Sequence, residues 1–445
     1  MNEKLLFCGN STTCLSEDLV KESNKSNGGP AFRIPSLINS NGTLIAAVDR
    51  ASSGADWGYI ELAVRRSDDG GETWSDLETV ATPPAREVKI TPECQTSAFF
   101  IDPCMAVAPN GDVIMIADLW PECKGLHNKR LLEKKPAYGN IDGETCLLLY
   151  DKGGNFYYVK KNGAVVDSKK APTPYTIKNG LGELYKGEEY VGNVFLDGPM
   201  GKNEMGVKLT FGAPLKVVKR SYVYMLRSSD NGKTWSNPVD ITGSVLRKED
   251  GAFLGVAPGV GLTTSTGRII MPLYVANKEC VAIYSDDCGA TWHRNPVDPY
   301  AKNIDEWQLV EAKDGTLIGL GRQKGFKKTP LSFSTNNGSV WQKGGKTGVK
   351  APKCQKSVIT AEGYVFCSHA SQKKRANGVL SVGKIVPDGG AFCKIEWFNH
   401  VEINTGFFAY SCLTQIDNNT ISCFYESQPS SYLQFKTFKI SEITK

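Results

Sequence analysis

Six stretches of the chain repeat one pattern, a polar turn followed by a short, mostly apolar and β-branched run: NGTLIAAVDR, NGDVIMIADLW, TGRIIMPLYV, DGTLIGLGRQ, EGYVFCSHA and NNTISCFYES. Runs of this length and composition, bounded by Gly, Asn and Asp, predict strands. Their turn positions are Gly42, Gly111, Gly267, Gly315, Gly363 and Asn419, which are 69, 156, 48, 48 and 56 residues apart. Short strands returning about every 40–50 residues mark the blades of a propeller, each a small antiparallel sheet around a central axis. The expected fold is therefore all-β, a six-bladed β-propeller.

A second repeat supports the first. SDDGGETW (Ser67 to Trp74), SSDNGKTW (Ser228 to Trp235), SDDCGATW (Ser285 to Trp292) and the degraded STNNGSVW (Ser334 to Trp341) share the spacing S-x-D-x-G-x-T-W. The Asp bonds nearby backbone amides, the Gly supplies positive φ, and the Trp packs between layers, so these boxes are structural. The 156-residue gap then contains one ordinary step plus an insertion of roughly 100 residues. The domains expected are residues 1–123 as the first part of the propeller, 124–219 as an inserted small β-rich accessory domain, and 220–445 as the second part. The insert either tunes access to large substrates or packs on the propeller and supports its folding.

Composition narrows the class. The 445 residues are 40% hydrophobic and 22% charged, with 45 Gly, which excludes a disordered chain, a collagen and a coiled coil. With 52 Lys+Arg against 47 Asp+Glu the net charge is only +5, so no nucleic-acid partner is expected. No run is long enough for a membrane span. MNEKLLFCGNSTT shows no signal peptide, and localisation stays uncertain: cytoplasmic as written, or secreted or cell-surface if a leader has been removed. The 13 cysteines include no CxxC pair, and Cys104, Cys367 and Cys423 read as buried thiols. His127, His293, His369 and His400 lack metal-ligand spacing, so neither a metal nor any other cofactor is expected. LGVAPGVGL lacks the Lys-Ser/Thr ending of a phosphate loop and reads as a propeller turn.

The repeated strands end in similar phase on Arg50, Asp118, Tyr274, Arg322 and Glu426, with His369 one residue earlier. Equivalent strand ends converge on one mouth of a propeller channel, where charge is costly unless it is paired or used. Arg33 in FRIPSL, Arg322 in IGLGRQ and Arg375 in SQKKRANG stand out. Several guanidinium forks around one point suit a planar carboxylate, although a phosphate or three separate salt bridges would use the same residues.

FRIP followed by several S-x-D-x-G-x-T-W boxes resembles the sialidase (neuraminidase) family. The chain is similar to the large bacterial exo-sialidases along essentially its whole length, through DRASSGADWGYIELAVRRS, FLGVAPGVGL, EWQLVEAKDGTLIGLGR, KRANG and FAYSCL in that order. The resemblance implies that Arg33, Arg322 and Arg375 grip the sialic acid carboxylate, with Glu426 holding Arg33. It puts the acid/base on Asp56, the nucleophile on Tyr410 and the nucleophile's partner carboxylate on Glu306. Arg50 would contact ring substituents, and Asp102 and Trp120 would line the O4 and N-acetyl side of the pocket.

A tyrosine nucleophile has a physical rationale. The substrate carboxylate on the anomeric carbon would repel an attacking Asp or Glu, whereas a neutral phenol avoids that repulsion. With an ordinary pKa near 10, the phenol needs a base in contact. The activity implied is a retaining exo-α-sialidase on sialylated glycans, acting as a monomer. The alternative is a trans-sialidase, including the intramolecular kind with an anhydro product, in which an aromatic wall shields the intermediate from water. Trp120, Trp307 or the YESQPSSY loop are the candidates for that wall. A non-catalytic sialic acid lectin would require loss of Tyr410, Glu306 or Asp56, and all three are present.

Overall fold

The computed structural model describes residues 3–8, 31–51, 54–85, 97–127, 135–198, 201–202, 208–209, 212–276, 278–295, 304–387, 393–429 and 432–445. Six antiparallel sheets follow one another along the chain, each built around a core of four strands, and together they form a six-bladed β-propeller. The repeated run found in the sequence is the second strand of each blade: Thr43–Ala51, Val113–Trp120, Ile269–Val275, Leu317–Gln323, Tyr364–Ala370 and Thr420–Gln428. Each pairs with a strand preceding it in the chain, such as Ala31–Ser40 in the first blade.

Strand alternation orders the packing. In the first blade Leu44, Ala46 and Val48 enter one buried cluster, while Ile45 and Ala47 enter the cluster on the opposite face. The sixth blade takes its outer strand from the far end of the sequence: Glu3–Cys8 pairs with Tyr432–Lys439, and Tyr425 donates to Glu3 at 2.6 Å. The ring is thus closed by hydrogen bonds between the first and last strands. LGVAPGVGL is more than a turn. Its Gly259–Val260 adds a parallel strand to the inner strand of the second blade.

The long gap falls inside the second blade. Val113–Trp120 pairs directly with Tyr222–Ser228, and the chain between them makes a seven-stranded antiparallel meander from Tyr138–Ile141 to Glu189–Asn193. Leu149, Val165 and Leu184 of this meander share one core with Met115, Leu119, Tyr222 and Tyr224 of the blade. Phe195 packs edge-on against both Tyr222 and Tyr224, with ring centroids 5.6 and 6.4 Å apart. At about 1.5–3 kcal/mol per buried apolar side chain, this shared core binds the meander to the blade.

The Ser–Asp boxes join the third and fourth strands of four blades. Ser67 pairs with Leu44, beside the Gly42 turn, which puts this box at the turn end of the blade. Asp287 accepts bonds from Thr291 N at 2.9 Å, Thr291 Oγ1 at 2.6 Å and Ser285 Oγ at 2.7 Å. In the degraded box Asn336 takes the same place, accepting from Val340 N at 2.8 Å. Cys104, Cys367 and Cys423 are buried free thiols. No helix among the described residues is long and apolar enough to cross a membrane.

Candidate active site

Three inner strands lose their regular register at the end opposite the Gly42-type turns. The shifts fall between Arg33 and Ser36, between Ile101 and Cys104, and between Ile304 and Trp307. Ile34 and Asp102, within the first two, adopt φ of 58° and 66°. Each precedes a proline, which lacks the N–H that a regular ladder would demand. Positive φ costs a side-chain-bearing residue about 1–3 kcal/mol, and is retained where the surroundings enforce it. Here Ile34 N donates to Glu426 Oε1 at 3.1 Å. These bulges set Arg33, Asp102, Asp305 and Glu306 on the wall of one cavity of about 620 Å³.

Tyr410 is central to that cavity. Its hydroxyl donates to Glu306 Oε1 at 2.6 Å and accepts from Arg322 Nη1 at 2.8 Å. Arg322 also pairs with the other oxygen of Glu306. The guanidinium carbons of Arg33, Arg322 and Arg375 lie 5.5, 5.9 and 5.4 Å from the Tyr410 ring centroid. Arg33 pairs with Asp56 and with Glu426, the latter at 3.4 Å. Arg375 is held by its backbone, whose carbonyl accepts from Phe408 N at 3.1 Å. Among the described residues it has no carboxylate within 4.0 Å.

Burial raises the Tyr410 phenol well above its ordinary pKa, against the lowering influence of Arg322. Burial also opposes the charge on Arg322 and Arg33, but Glu306 beside the first and Glu426 and Asp56 beside the second raise both pKa values on balance. Three further aspartates share the region. Burial raises the carboxyls of Asp49, Asp102 and Asp118 well above the usual range, and Asp102 repels each of the other two. Asp49 accepts from Asp102 N at 3.2 Å, and Asp118 from Val256 N at 3.2 Å.

Nine of the ten residues singled out from the sequence line this cavity: Arg33, Asp56, Asp102, Trp120, Glu306, Arg322, Arg375, Tyr410 and Glu426. Arg50 does not. Its guanidinium pairs with Glu61 at 2.7 Å, on the other side of the strand from Asp49. Asp49, Asp118, Tyr274, Arg322 and Glu426 each follow their turn position by seven residues, whereas Arg50 follows by eight and so points the opposite way. His369 is likewise out of phase and is buried against Ser381 at 2.9 Å. Trp307 is no wall for the cavity, because it is buried with its indole N–H on Leu273 O at 2.8 Å. Trp120 is on the wall, stacked between Phe99 and Phe253 at 6.2 and 5.9 Å. Sequence reasoning passed over Asp305, paired with Lys353 at 3.6 Å, and Leu126 and His127, which come from the segment assigned to the insert.

A family model for the BNR repeat-like domain matches residues 203–423. Sialidase B of Streptococcus pneumoniae is 26% identical over 96% of this chain and 67% of its own length. The anhydrosialidase of Macrobdella decora is 26% identical over 93% of this chain and 61% of its own. The chain thus spans about two thirds of the length of these relatives. Among solved structures, the intramolecular trans-sialidase from Ruminococcus gnavus is similar with a TM-score of 0.79 and 25% identity, covering 93% of this chain and 95% of that one. The blade arrangement, the FRIP bulge that carries Arg33 and likenesses running along more than nine tenths of the sequence agree in making this chain similar to the sialidases, which are glycoside hydrolases.

Proposed function

We propose that this protein is a retaining exo-α-sialidase that releases terminal sialic acid from glycoproteins, glycolipids and oligosaccharides through a covalent bond to Tyr410. The observation that carries the reading is the single cluster of Tyr410, Glu306 and three guanidiniums. Charge balance supports a carboxylate substrate. Glu306 and Glu426 offset two of the three arginines, and Asp49, Asp102 and Asp118 are held toward their neutral forms. When Asp56 carries its proton, one positive charge remains, which fits one substrate carboxylate. Arg375, without a carboxylate of its own among the described residues, and the buried Arg322 Nε, without a hydrogen-bond partner there, are the groups with capacity to receive it.

Each step then has a named group. As the bond from the anomeric carbon to the leaving oxygen breaks, Asp56 gives that oxygen its proton. Tyr410 attacks the same carbon from the opposite face and passes its own proton to Glu306, 2.6 Å away. The need for that base follows from burial, which disfavours free phenolate. In the second half-reaction Asp56 takes a proton from water, the water oxygen bonds to the anomeric carbon, and Tyr410 departs and recovers its proton from Glu306. The arginines hold the carboxylate beside an oxocarbenium-like centre throughout. Two inversions give net retention.

A second reading keeps the first half-reaction and changes the acceptor. The Ruminococcus gnavus and leech structures that resemble this one are both intramolecular trans-sialidases, the leech one complexed with 2,7-anhydro-Neu5Ac. In this chain Trp120 would supply the apolar wall that such a transfer needs. Incubation with a fluorogenic sialoside followed by NMR of the product decides: α-sialic acid means hydrolysis, an anhydro sugar means transfer, and an unchanged sialoside removes both readings.

A further inference from the structure

The segment that interrupts the second blade also reaches the cavity. Immediately after Val113–Trp120 the chain makes a short turn, Gly125–His127, whose three residues line the cavity on the Asp56 side. Gly125, at φ 50°, sits so close that an added Cβ would lie 3.2 Å from the Phe99 ring and 3.6 Å from the Asp56 carbonyl oxygen. The segment leading into the turn is tied to the chain just beyond the last meander strand. Glu122 N donates to Phe195 O at 2.8 Å, and the Glu122 carboxylate accepts from Asp197 N at 2.9 Å.

His127 is the residue this anchoring places best. Its Nε2 lies 4.0 Å from Asp56 Oδ2, while the other Asp56 oxygen pairs with Arg33. Its ring tilts against Trp57 with centroids 5.1 Å apart, and Lys124 Nζ lies 5.9 Å from the Trp57 ring. The His127 and Asp56 side chains are 59% and 47% exposed, so this side of the cavity opens to solvent.

The acid of a glycosidase faces the oxygen that leaves, and whatever is attached to that oxygen lies beyond the acid. Beside Asp56 on the cavity wall stand the imidazole of His127 and the exposed side chain of Leu126, and the partly buried indole of Trp57 backs the imidazole. An aromatic and apolar surface with ring N–H groups suits a neutral pyranose, whose C–H face packs on the rings while its hydroxyls take hydrogen bonds. We propose that the Gly125–His127 turn, with Trp57 supporting the His127 ring, forms a leaving-group subsite for the neutral sugar to which the sialic acid is attached, with His127 as its specificity-determining residue. This rests on Asp56 acting as the acid. It also gives the insertion a role, because the chain leaving the meander, at Phe195 and Asp197, anchors the segment that leads into the turn.

The test compares two substrates that share the sialyl group and differ in what leaves: 3′-sialyllactose, whose leaving group is a sugar, and α-sialyl fluoride, whose leaving group is a single atom with no ring. His127→Ala should lower kcat/KM on sialyllactose at least tenfold, mostly through KM, and change the fluoride value less than twofold. His127→Gln, which keeps a hydrogen-bonding head, should recover part of the loss. Free lactose should inhibit the unaltered protein more strongly than His127→Ala. The inhibition constant of an unsaturated sialic acid analogue, which has no leaving group, should be the same in both and shows that the cavity is intact. Equal losses on both substrates, or no change on either, would overturn the subsite while leaving the sialidase reading in place. An unaltered protein that cleaves neither substrate would remove that reading and the subsite with it.

Discussion

Asp287, in the box at the turn end of the third blade, and Asp118, at the cavity end of the second, are the same side chain under opposite forces. Hydrogen bonds from Thr291 and then Ser285 hold the Asp287 carboxyl down to about 2. Burial, and then the neighbouring Asp102, push Asp118 well above its ordinary value, with only the Val256 amide working the other way. Asp230 repeats the first case in the second blade, and Asp49 and Asp102 repeat the second. At the turn end aspartates close tight loops and add stability. At the cavity end they are buried beside Arg33, Glu306 and Tyr410, together with two residues at positive φ, Ile34 and Asp102. A fold whose stabilising interactions repeat around one end can accommodate destabilising ones gathered at the other.

The comparison predicts that changes at the cavity end cost activity far more than they cost stability. The largest effect belongs to Tyr410→Phe. Turnover should fall by at least about a thousandfold, which is ~4 kcal/mol in the barrier, while the protein remains folded and binds an unsaturated sialic acid analogue. Steady-state rates and calorimetric binding measure the two halves, and a loss within tenfold would show that Tyr410 is not the nucleophile. Next comes the carboxylate grip. Arg375→Lys, or conversion of the substrate carboxylate to its methyl ester, should each lose about 1.5–3 kcal/mol, because an ammonium lacks the planar fork and an ester lacks the charge. Inhibition constants for the acid and its ester that agree within twofold would break the assignment of the three arginines.

The smallest effects are the most diagnostic of the two ends, since they carry opposite signs. A carboxyl whose pKa is lowered by folding stabilises the fold above its unfolded value and loses that contribution as pH falls through the lowered value. Asp287→Asn should therefore lower the melting temperature slightly at pH 7, by no more than ~2 °C for an exposed group, with the difference vanishing toward pH 2. A carboxyl whose pKa is raised by folding behaves inversely, its contribution being full below the unfolded value and lost as pH rises. Asp118→Asn should accordingly raise stability at pH 7 and bring no gain below about pH 4. Thermal melts across pH, run on both variants, would contradict the comparison if the two curves shifted in the same direction.

Much of this was legible in the sequence because the blades repeat. One turn and one strand per blade, with four boxes between later strands, fixed the fold class, and Arg33, Asp56, Glu306, Arg322, Arg375 and Tyr410 were read from motifs the structure gathers around one cavity. What was misread had local causes. Arg50 was grouped with strand ends that are one residue earlier in phase, and in a strand one residue reverses the side chain. Trp307 follows a bulge that turns Asp305 and Glu306 to the cavity and sends the indole into the core. His127 lacked metal spacing, and its place beside Asp56 depends on the contacts of Glu122 with Phe195 and Asp197, which no local pattern announces. The pairing of Glu3–Cys8 with the last strand is equally non-local. The prolines after Ile34 and Asp102 were the available sign that two inner strands leave their ladders where the chemistry sits.

The central claim is that Tyr410 forms a bond to the sugar. A 2,3-difluorinated sialic acid makes the first half-reaction possible through its fluoride leaving group and slows the second, because the fluorine beside the anomeric carbon destabilises an oxocarbenium-like centre. Incubation followed by intact-mass measurement and peptide mapping should show one added fluorosialyl group on the peptide containing FAYSCL, localised to Tyr410, with fluoride released in equal amount and no adduct on Tyr410→Phe. An adduct on Glu306 or Asp56, or rapid fluoride release with the protein mass unchanged at every time point, would contradict the account.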